Sequence, residues 1–175
     1  MREDPVQRIV EQWGAVHPDL DTTPMAIIGR VHRLSAEAAE RVERHFRSHG
    51  IGRGDYDVLA SLRRAGDPPV LTPAQLGEGL LLSSAGVTGR IDRLERAGLV
   101  ARKPHPGDGR GVLVELTGAG RELVDRLVTE DMERQAAWMA ALSPREQAAI
   151  VRLLSKLSDA VRAEPLDGAP PRDGG

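Results

Sequence analysis

The chain has 175 residues, of which 40% are hydrophobic and 29% charged, enough for one compact domain or one subunit of a helical dimer. It contains no cysteine, which excludes a disulfide scaffold, a cysteine-based zinc site and a thiol redox sensor. Because no apolar run approaches membrane-spanning length and no signal-peptide pattern opens the chain, we expect a cytoplasmic protein.

The N-terminal region, residues 1–50, is predicted to form two dimerisation helices. The first covers about residues 5–16, and the second runs from Thr23 to about His49. An apolar stripe at helical spacing lies on the second helix: Ile27, Val31, Leu34, Ala38 and Val42. Its other faces carry acid-first pairs four residues apart, typical of a long exposed helix: Glu37/Arg41, Glu40/Arg44 and Glu43/Arg47.

Residues 51–117 carry the signals of three helices followed by two strands. A third helix covers Asp55 to Arg64, a loop follows over residues 65–69, and Thr72 caps a short helix that ends near Leu80. Ser83 or Ser84 caps the next helix, which Gly98 ends. Two strands with a charged, Gly-rich tip complete the segment. This order is a winged helix-turn-helix, whose second helix (the recognition helix) enters the major groove.

The charge distribution supports a polyanionic partner, although the formal net charge is only −2. From Ser83 to Arg110 there are six basic and three acidic residues. From Glu115 to Ala141 there are three basic and six acidic ones. The segregation of charge, and not its sum, favours binding to DNA.

Residues 118–163 predict a second pair of dimerisation helices. Thr117 caps a helix to about Met139, and Ser143 to Glu146 has the form of a capping box that opens the next one. Along that last helix the spacing of a helix–helix seam is kept by Ile150, Leu154, Leu157 and Val161. We therefore expect a twofold homodimer. Residues 164–175 have the composition of a disordered tail.

The segment GRIDRLERAGLVAR, the Asp108-Gly109-Arg110 wing tip and the exit VELTGAGRELV resemble the MarR family of bacterial transcription regulators. The resemblance implies a mainly α fold with a small β-wing, DNA binding and no enzymatic activity. Many members carry Asp-Arg-Arg at the wing tip, so one positive charge is missing here. The residues expected to face DNA are Ser83, Ser84, Thr88, Arg90, Arg93, Arg102, Lys103, Asp108 and Arg110.

A finer resemblance points to the urate-responsive, PecS-like branch of the family, which has an added N-terminal helix. The residues associated with the purine ligand in that branch correspond here to Trp13, Asp57, Arg90 and Arg102. An indole stacks on a planar purine, and guanidinium groups pair with the charge of urate. Asp57 could hold a ring N–H of the ligand, or repel the ligand and so drive a shift.

Each of these residues also has a purely structural interpretation. Trp13 could anchor the first helix in the dimer core, and Asp57 could pair with Arg53 or Arg64. Arg90 and Arg102 could contact phosphate alone. Taken singly, each structural interpretation is preferred; taken together with the extra helix, the four residues favour a ligand pocket.

Metal and enzyme functions have little support. His45 and His49 lie four apart on a predicted helix, with His32 further back, but no third ligand is evident. No nucleophile–base arrangement stands out, and the serines at 83 and 84 lack a Gly-x-Ser-x-Gly context. We assign no metal, no cofactor and no catalytic residue.

The sequence thus predicts a dimeric regulator, a repressor released from a pseudo-palindromic operator by a small anionic ligand of the urate or purine type. One alternative keeps the DNA binding with a different effector, such as a carboxylate, a phenolic compound or an antibiotic. The other is a dimeric protein-interaction module that does not read DNA. The basic residues around the wing favour the regulator.

Overall fold

A computed structural model describes residues 4–66, 68–80, 84–105 and 108–165 of the chain. The elements in these ranges are α1 (Pro5–Val16), α2 (Thr23–Ser48), α3 (Arg53–Arg64), β1 (Val70–Leu71), α4 (Pro73–Leu80), α5 (Ser84–Arg96), β2 (Val100–His105), β3 (Asp108–Leu116), α6 (Gly118–Met139) and α7 (Pro144–Ala163). This is the predicted mainly helical fold with a small β-wing. The chain divides into two compact units, Met1–Val128 and Thr129–Gly175.

In the first unit, α1 packs against α2 through a small contact surface. The carboxylate of Asp4 accepts a 3.0 Å hydrogen bond from the N–H of Val6, which caps α1, and pairs with Arg30 of α2 at 2.6 Å. The buried Val6 lies against Gly29, where a Cβ would meet its Cγ1 at 3.0 Å. Both helices begin and end where the sequence predicts, within one residue.

The core of this unit is aliphatic and joins the helices to the sheet. The side chains of Phe46, Leu59, Leu62, Leu76, Ile91, Val114 and Leu127 are fully buried. Phe46 stacks on Tyr56 with ring centroids 4.2 Å apart, which fastens the end of α2 to α3. The apolar stripe predicted on α2 is therefore divided: Val42 is buried here, while Ile27, Val31 and Leu34 are exposed.

The three strands form an antiparallel sheet in the order β1-β3-β2. Strand β2 pairs with β3 from Val100↔Leu116 to His105↔Asp108. The edge strand β1 pairs Val70 with Glu115, and the sequence does not predict it because two residues carry no alternating pattern. The predicted charged tip is also placed differently, since Asp108-Gly109-Arg110 open β3.

The ends of two helices show why the boundaries fall where they do. Helix α3 begins two residues before the predicted Asp55, because the carboxylate of Glu43 accepts the Arg53 N–H at 2.9 Å. The predicted cap of α6 is confirmed: Thr117 Oγ1 accepts the Gly120 N–H at 3.0 Å and donates to the Gly98 carbonyl at 2.7 Å.

The ion pairs predicted along α2 are confirmed for Glu40–Arg44 at 2.6 Å and Glu43–Arg47 at 2.7 Å. Arg41 instead donates to the backbone carbonyl of Glu37, whose carboxylate pairs with Arg33 at 2.9 Å. These side chains are largely exposed, so the pairs stabilise the helix only weakly.

The second unit contains the end of α6 and the whole of α7. The predicted capping box of α7 is confirmed, with the Ser143 hydroxyl accepting the Glu146 N–H at 3.4 Å and Glu146 accepting the Ser143 N–H at 2.8 Å. No described residue of α7 is buried, and Ile150, Leu154 and Val161 of the predicted seam are exposed. Most of the predicted tail lies outside the described residues. None of the described helices combines the length and apolar character needed to cross a membrane.

Candidate functional site

The helix-turn-helix is formed by α4 and α5. Thr72 Oγ1 accepts the Gln75 N–H at 3.2 Å, which confirms the predicted cap of α4, and Gly98 ends the turn after α5 at φ +70°. The inner face of α5 is fully buried as predicted, through Val87, Ile91 and Leu94. The helix is therefore held by its apolar face, and its polar and basic residues lie on the opposite face.

The outer face of α5 carries the residues expected to read DNA. Thr88 is exposed, and the Arg93 side chain is 52% exposed. The guanidinium of Arg93 donates to Asp55 of α3 at 2.9 Å, and Asp55 is itself only 14% exposed. Arg93 is therefore oriented by an acid that the sequence analysis did not single out. Ser83 lies outside the described residues.

Arg90 is half-buried and turns toward the first turn of α3. A small cavity of about 60 Å³ is lined by Gly54, Asp57, Leu80 and Arg90. The structure thus brings together two of the four residues predicted to hold a ligand, Asp57 and Arg90, between α3 and the recognition helix. Asp57 also accepts a hydrogen bond from Arg53 Nε at 3.1 Å, one of the two pairings expected from a structural role.

Arg102 lies on β2 and turns back to the recognition helix. Its guanidinium donates to the carboxylates of Asp92 and Glu95, while its backbone N–H donates to Glu95 at 3.2 Å. The hydrogen bond to Asp92 is the main reason that the pKa of Arg102 is raised above its usual value. We call this three-residue group the wing clasp, because it joins the first strand of the wing to α5.

The remaining wing residues bear on DNA binding through charge. Lys103 pairs with Glu115 on the neighbouring strand, and its side chain is 60% exposed. Asp108 and Arg110 open β3, beside the hairpin end. The outer half of the wing therefore carries the basic positions predicted to meet the DNA backbone, and the charge of Lys103 is partly neutralised by Glu115.

Trp13 lies apart from the Asp57–Arg90 cavity. It is 43% exposed and stacks on His17, with ring centroids 5.6 Å apart and an interplanar angle of 19°. The two rings line an open groove of about 490 Å³ that is completed by Val16, Pro18, Asp19 and Leu20. Within one protomer, then, neither Trp13 nor Arg102 lines the described cavity that Asp57 and Arg90 share.

Four residues of the site are not predicted as site residues from the sequence: Gly54, Asp55, Asp92 and Glu95. Asp55 and Gly54 matter only because α5 crosses the start of α3, and Glu95 meets Arg102 across a turn, at no helical spacing. The sequence offers no signal for Gly54 either, because the predicted helix begins at Asp55 and leaves the glycine in the preceding loop.

His45 and His49 are neighbours on α2, with ring centroids 4.9 Å apart. The Nδ1 of His49 lies 3.1 Å from the carbonyl oxygen of His45, where a protonated Nδ1 donates. Two histidines on one helix do not make a metal site by themselves.

Comparison with known proteins agrees with this geometry. A sequence model of the MarR family matches residues 49–111. The chain is 35% identical over 152 residues to the HTH-type transcriptional regulator PecS of Dickeya dadantii, across 87% of this chain and 92% of PecS. A MarR family transcriptional regulator from Streptomyces coelicolor has the same fold, with a TM-score of 0.66, 28% identity, and coverage of 81% of this chain and 96% of that one.

A second solved structure concerns Bordetella bronchiseptica BpsR, whose DNA binding is regulated by 6-hydroxynicotinic acid. The TM-score is 0.63 at 29% identity, across 75% of this chain and 91% of BpsR. Proteins of this kind are transcription regulators and not enzymes, in agreement with the interpretation of the sequence.

Proposed function

Because the chain belongs to the MarR family of DNA-binding transcription regulators, we propose that it is a repressor released from its operator by a small, planar, anionic ligand of the urate type. The observation that carries this proposal is the cavity lined by Asp57 and Arg90 between α3 and the recognition helix. A ligand bound there would act directly on the element that reads DNA.

The size of the cavity suggests how release would occur. About 60 Å³ is far below the roughly 300 Å³ at which pockets for small molecules begin. A purine would therefore need Arg90, or α5 as a whole, to move. Since a ligand shifts an equilibrium only by binding one state better, a site that opens when α5 moves would couple ligand binding to loss of DNA affinity.

The charges in the cavity fit an anion that also carries ring N–H groups. Arg90 would pair with the delocalised charge of urate, and Asp57 would accept a ring N–H or repel the ligand. Trp13 and Arg102 lie elsewhere in the protomer, so their predicted contacts would need a rearrangement or a partner subunit. The similarity to BpsR, whose DNA binding is regulated by 6-hydroxynicotinic acid, supports a flat, anionic heteroaromatic effector.

The test is operator release. We would select a duplex with the purified protein from a random-sequence pool and titrate the labelled complex with urate, xanthine and hypoxanthine. Release by urate is expected. If a rearrangement or a partner subunit brings Trp13 to the ligand, urate will also quench Trp fluorescence, and Trp13→Phe will remove most of the quench, since Trp138 is the only other tryptophan. No quench and no release at millimolar purine would rule out the purine assignment.

Asp57→Ala separates the two roles of that carboxylate. If Asp57 transmits the shift by repulsion, the variant will bind urate and remain on DNA. If Asp57 holds the ligand, binding and release will weaken together, with Arg90→Ala as the comparison that removes the cation from the same cavity.

A carboxylate effector is a second candidate, because BpsR responds to 6-hydroxynicotinic acid. That molecule shares a flat heteroaromatic ring and a negative charge with urate. It belongs in the same titration: release by the carboxylate and not by the purines would change the effector and leave the DNA-binding role intact.

The proposed DNA contacts come from α5 and the wing. Thr88 and Arg93 would face base edges, and Arg90 would reach the DNA backbone when it leaves α3. Ser83 and Ser84 are the other residues of this segment expected to contact DNA. The wing would add phosphate contacts through its cations Arg102, Lys103 and Arg110, while the anionic Asp108 would lie beside them without contacting phosphate. Two such helices in a twofold dimer should read half-sites about 10 bp apart in a pseudo-palindrome. Equal affinity for the selected and a scrambled duplex at physiological salt would contradict this.

A homodimer is proposed because the helices outside the winged lobe expose apolar side chains. Ile27, Val31 and Leu34 are exposed on α2, and Ile150 and Leu154 on α7. Leu154→Lys should yield a monomer in light scattering and lose operator affinity, whereas Arg152→Lys on the same helix should change neither. Wild-type protein that scatters as a monomer at micromolar concentration would overturn the proposed assembly.

A further inference from the structure

Gly54 occupies a position where a side chain has no room. A Cβ on this residue would overlap Nη1 and Cζ of Arg90 and lie 2.6 Å from Nη2, so the guanidinium lies directly against the backbone of α3. Alanine is normally favoured over glycine within a helix. The absence of a side chain at position 54 is therefore what allows Arg90 to dock there.

The docked guanidinium fits into the space beside Gly54, and no hydrogen bond or ion pair to a described residue holds it there. Among the residues that the structure describes, Arg90 has no ion-pair or hydrogen-bond partner, although Asp57 lines the same cavity and pairs with Arg53. The first turn of α3 is also the positive end of that helix dipole, which does not attract a cation. Arg93, one turn further along α5, is by contrast fixed to Asp55 at 2.9 Å. Of the two arginines, Arg90 is therefore the one whose guanidinium can move away from α3 without breaking an ion pair.

We propose that Gly54 is a positioning residue that sets the balance between two positions of Arg90. In the docked position the guanidinium lies against Gly54 and faces the cavity with Asp57. In the extended position it leaves α3 and reaches a DNA phosphate. The assignment of the docked position as the one that receives the ligand rests on the proposed function; the existence of the two positions does not.

Gly54→Ala tests this without disrupting the fold. The overlap falls on the far end of a flexible side chain, so Arg90 moves away and the backbone stays in place. Gly79→Ala on α4 is the matched control, because a Cβ there meets nothing within 4 Å. Both variants replace a helical glycine, and only the first displaces an arginine.

The primary measurement is the salt dependence of DNA binding, followed by fluorescence anisotropy with a duplex selected by the wild-type protein. Each added phosphate contact steepens the plot of log K against log salt by about 0.9. Wild-type complexes in which Arg90 stays docked lack this contact, so Gly54→Ala should steepen the slope by up to about that amount for each protomer bound. Gly79→Ala should match wild type. In an Arg90→Ala background, Gly54→Ala should have no further effect.

Two results would overturn the proposal: a slope for Gly54→Ala equal to that of Gly79→Ala, or a change of equal size with and without Arg90. The ligand part is tested separately by titrating urate. If urate releases the wild-type protein from DNA, release of Gly54→Ala should need a urate concentration at least about ten times higher, because Arg90 no longer faces the cavity. An unchanged urate concentration for release would refute the ligand role of the docked position. Where urate does not release the wild-type complex, the proposed function fails, and the salt slopes still decide whether Gly54 positions Arg90.

Discussion

Arg102→Ala should lower the free energy of unfolding by a measurable amount, because Arg102 joins the wing to the recognition helix. Arg102 is 31% exposed, and its partners Asp92 and Glu95 are 48% and 39% exposed. Each pair is therefore partly solvated and should contribute about 0.5–1 kcal/mol, less than the 1.5–3 kcal/mol of a desolvated charged hydrogen bond. Arg102→Ala should cost about 1–2 kcal/mol in total, since it also leaves two carboxylates unpaired on α5.

The assay is urea unfolding at fixed protein concentration, repeated at 0.05 and about 0.5 M NaCl, where the loss should shrink because salt screens partly exposed pairs. In thermal unfolding the same loss corresponds to about 2–8 °C in Tm. Lys103→Ala is the control one residue along β2: its pair with Glu115 involves a lysine that is 60% exposed, so less than about 0.5 kcal/mol is expected. Equal losses for the two variants, or no loss for Arg102→Ala, would refute the inference that the clasp holds the wing.

Two further predictions concern contacts that hold helix ends in the first unit. The hydrogen bond from the N–H of Arg53 is the main cause that lowers the pKa of Glu43 below 4.5, so the folded protein favours the ionised carboxylate. Glu43→Gln should therefore lower Tm near pH 7. The difference in Tm from wild type should fade as the pH falls below 4.5 through the folded-state pKa. A Cβ on Gly120 would overlap the backbone oxygen of Leu99 and lie 2.9 Å from its carbon, so Gly120→Ala should cost about 1–3 kcal/mol in urea unfolding. Gly118→Ala, with nothing within 4 Å, should be close to neutral, and equal effects of the two alanines would contradict this account.

Local signals in the sequence account for most of the helices. Proline at the first turn and a capping threonine or serine act within a few residues, so α4 and α7 begin where their caps predict, and α1 and α2 begin at their prolines within one residue. The buried face of α5 follows from Val87, Ile91 and Leu94 at helical spacing. Strand β1 does not, because a two-residue edge strand exists only through its pairing with β3.

The arrangement of the candidate site depends on contacts that no local signal encodes. The resemblance to the PecS-like branch groups Trp13, Asp57, Arg90 and Arg102 as one candidate ligand site. Their residue types indicate that a guanidinium, a carboxylate and an indole could bind a planar anion. Only the crossing of α5 over α3 decides that Arg90 shares a cavity with Asp57 and lies on Gly54.

By itself, then, the sequence determined the element order, the winged helix-turn-helix and the basic character of the wing, because caps, periodicity and charge act over short stretches of chain. The tertiary structure decided the partner of each charged side chain. Arg102 pairs with Asp92 and Glu95, and Arg93 pairs with Asp55. Ion pairing depends on the distance between the charges in space, and the packing of the helices sets that distance, whereas the spacing of the residues along the chain does not.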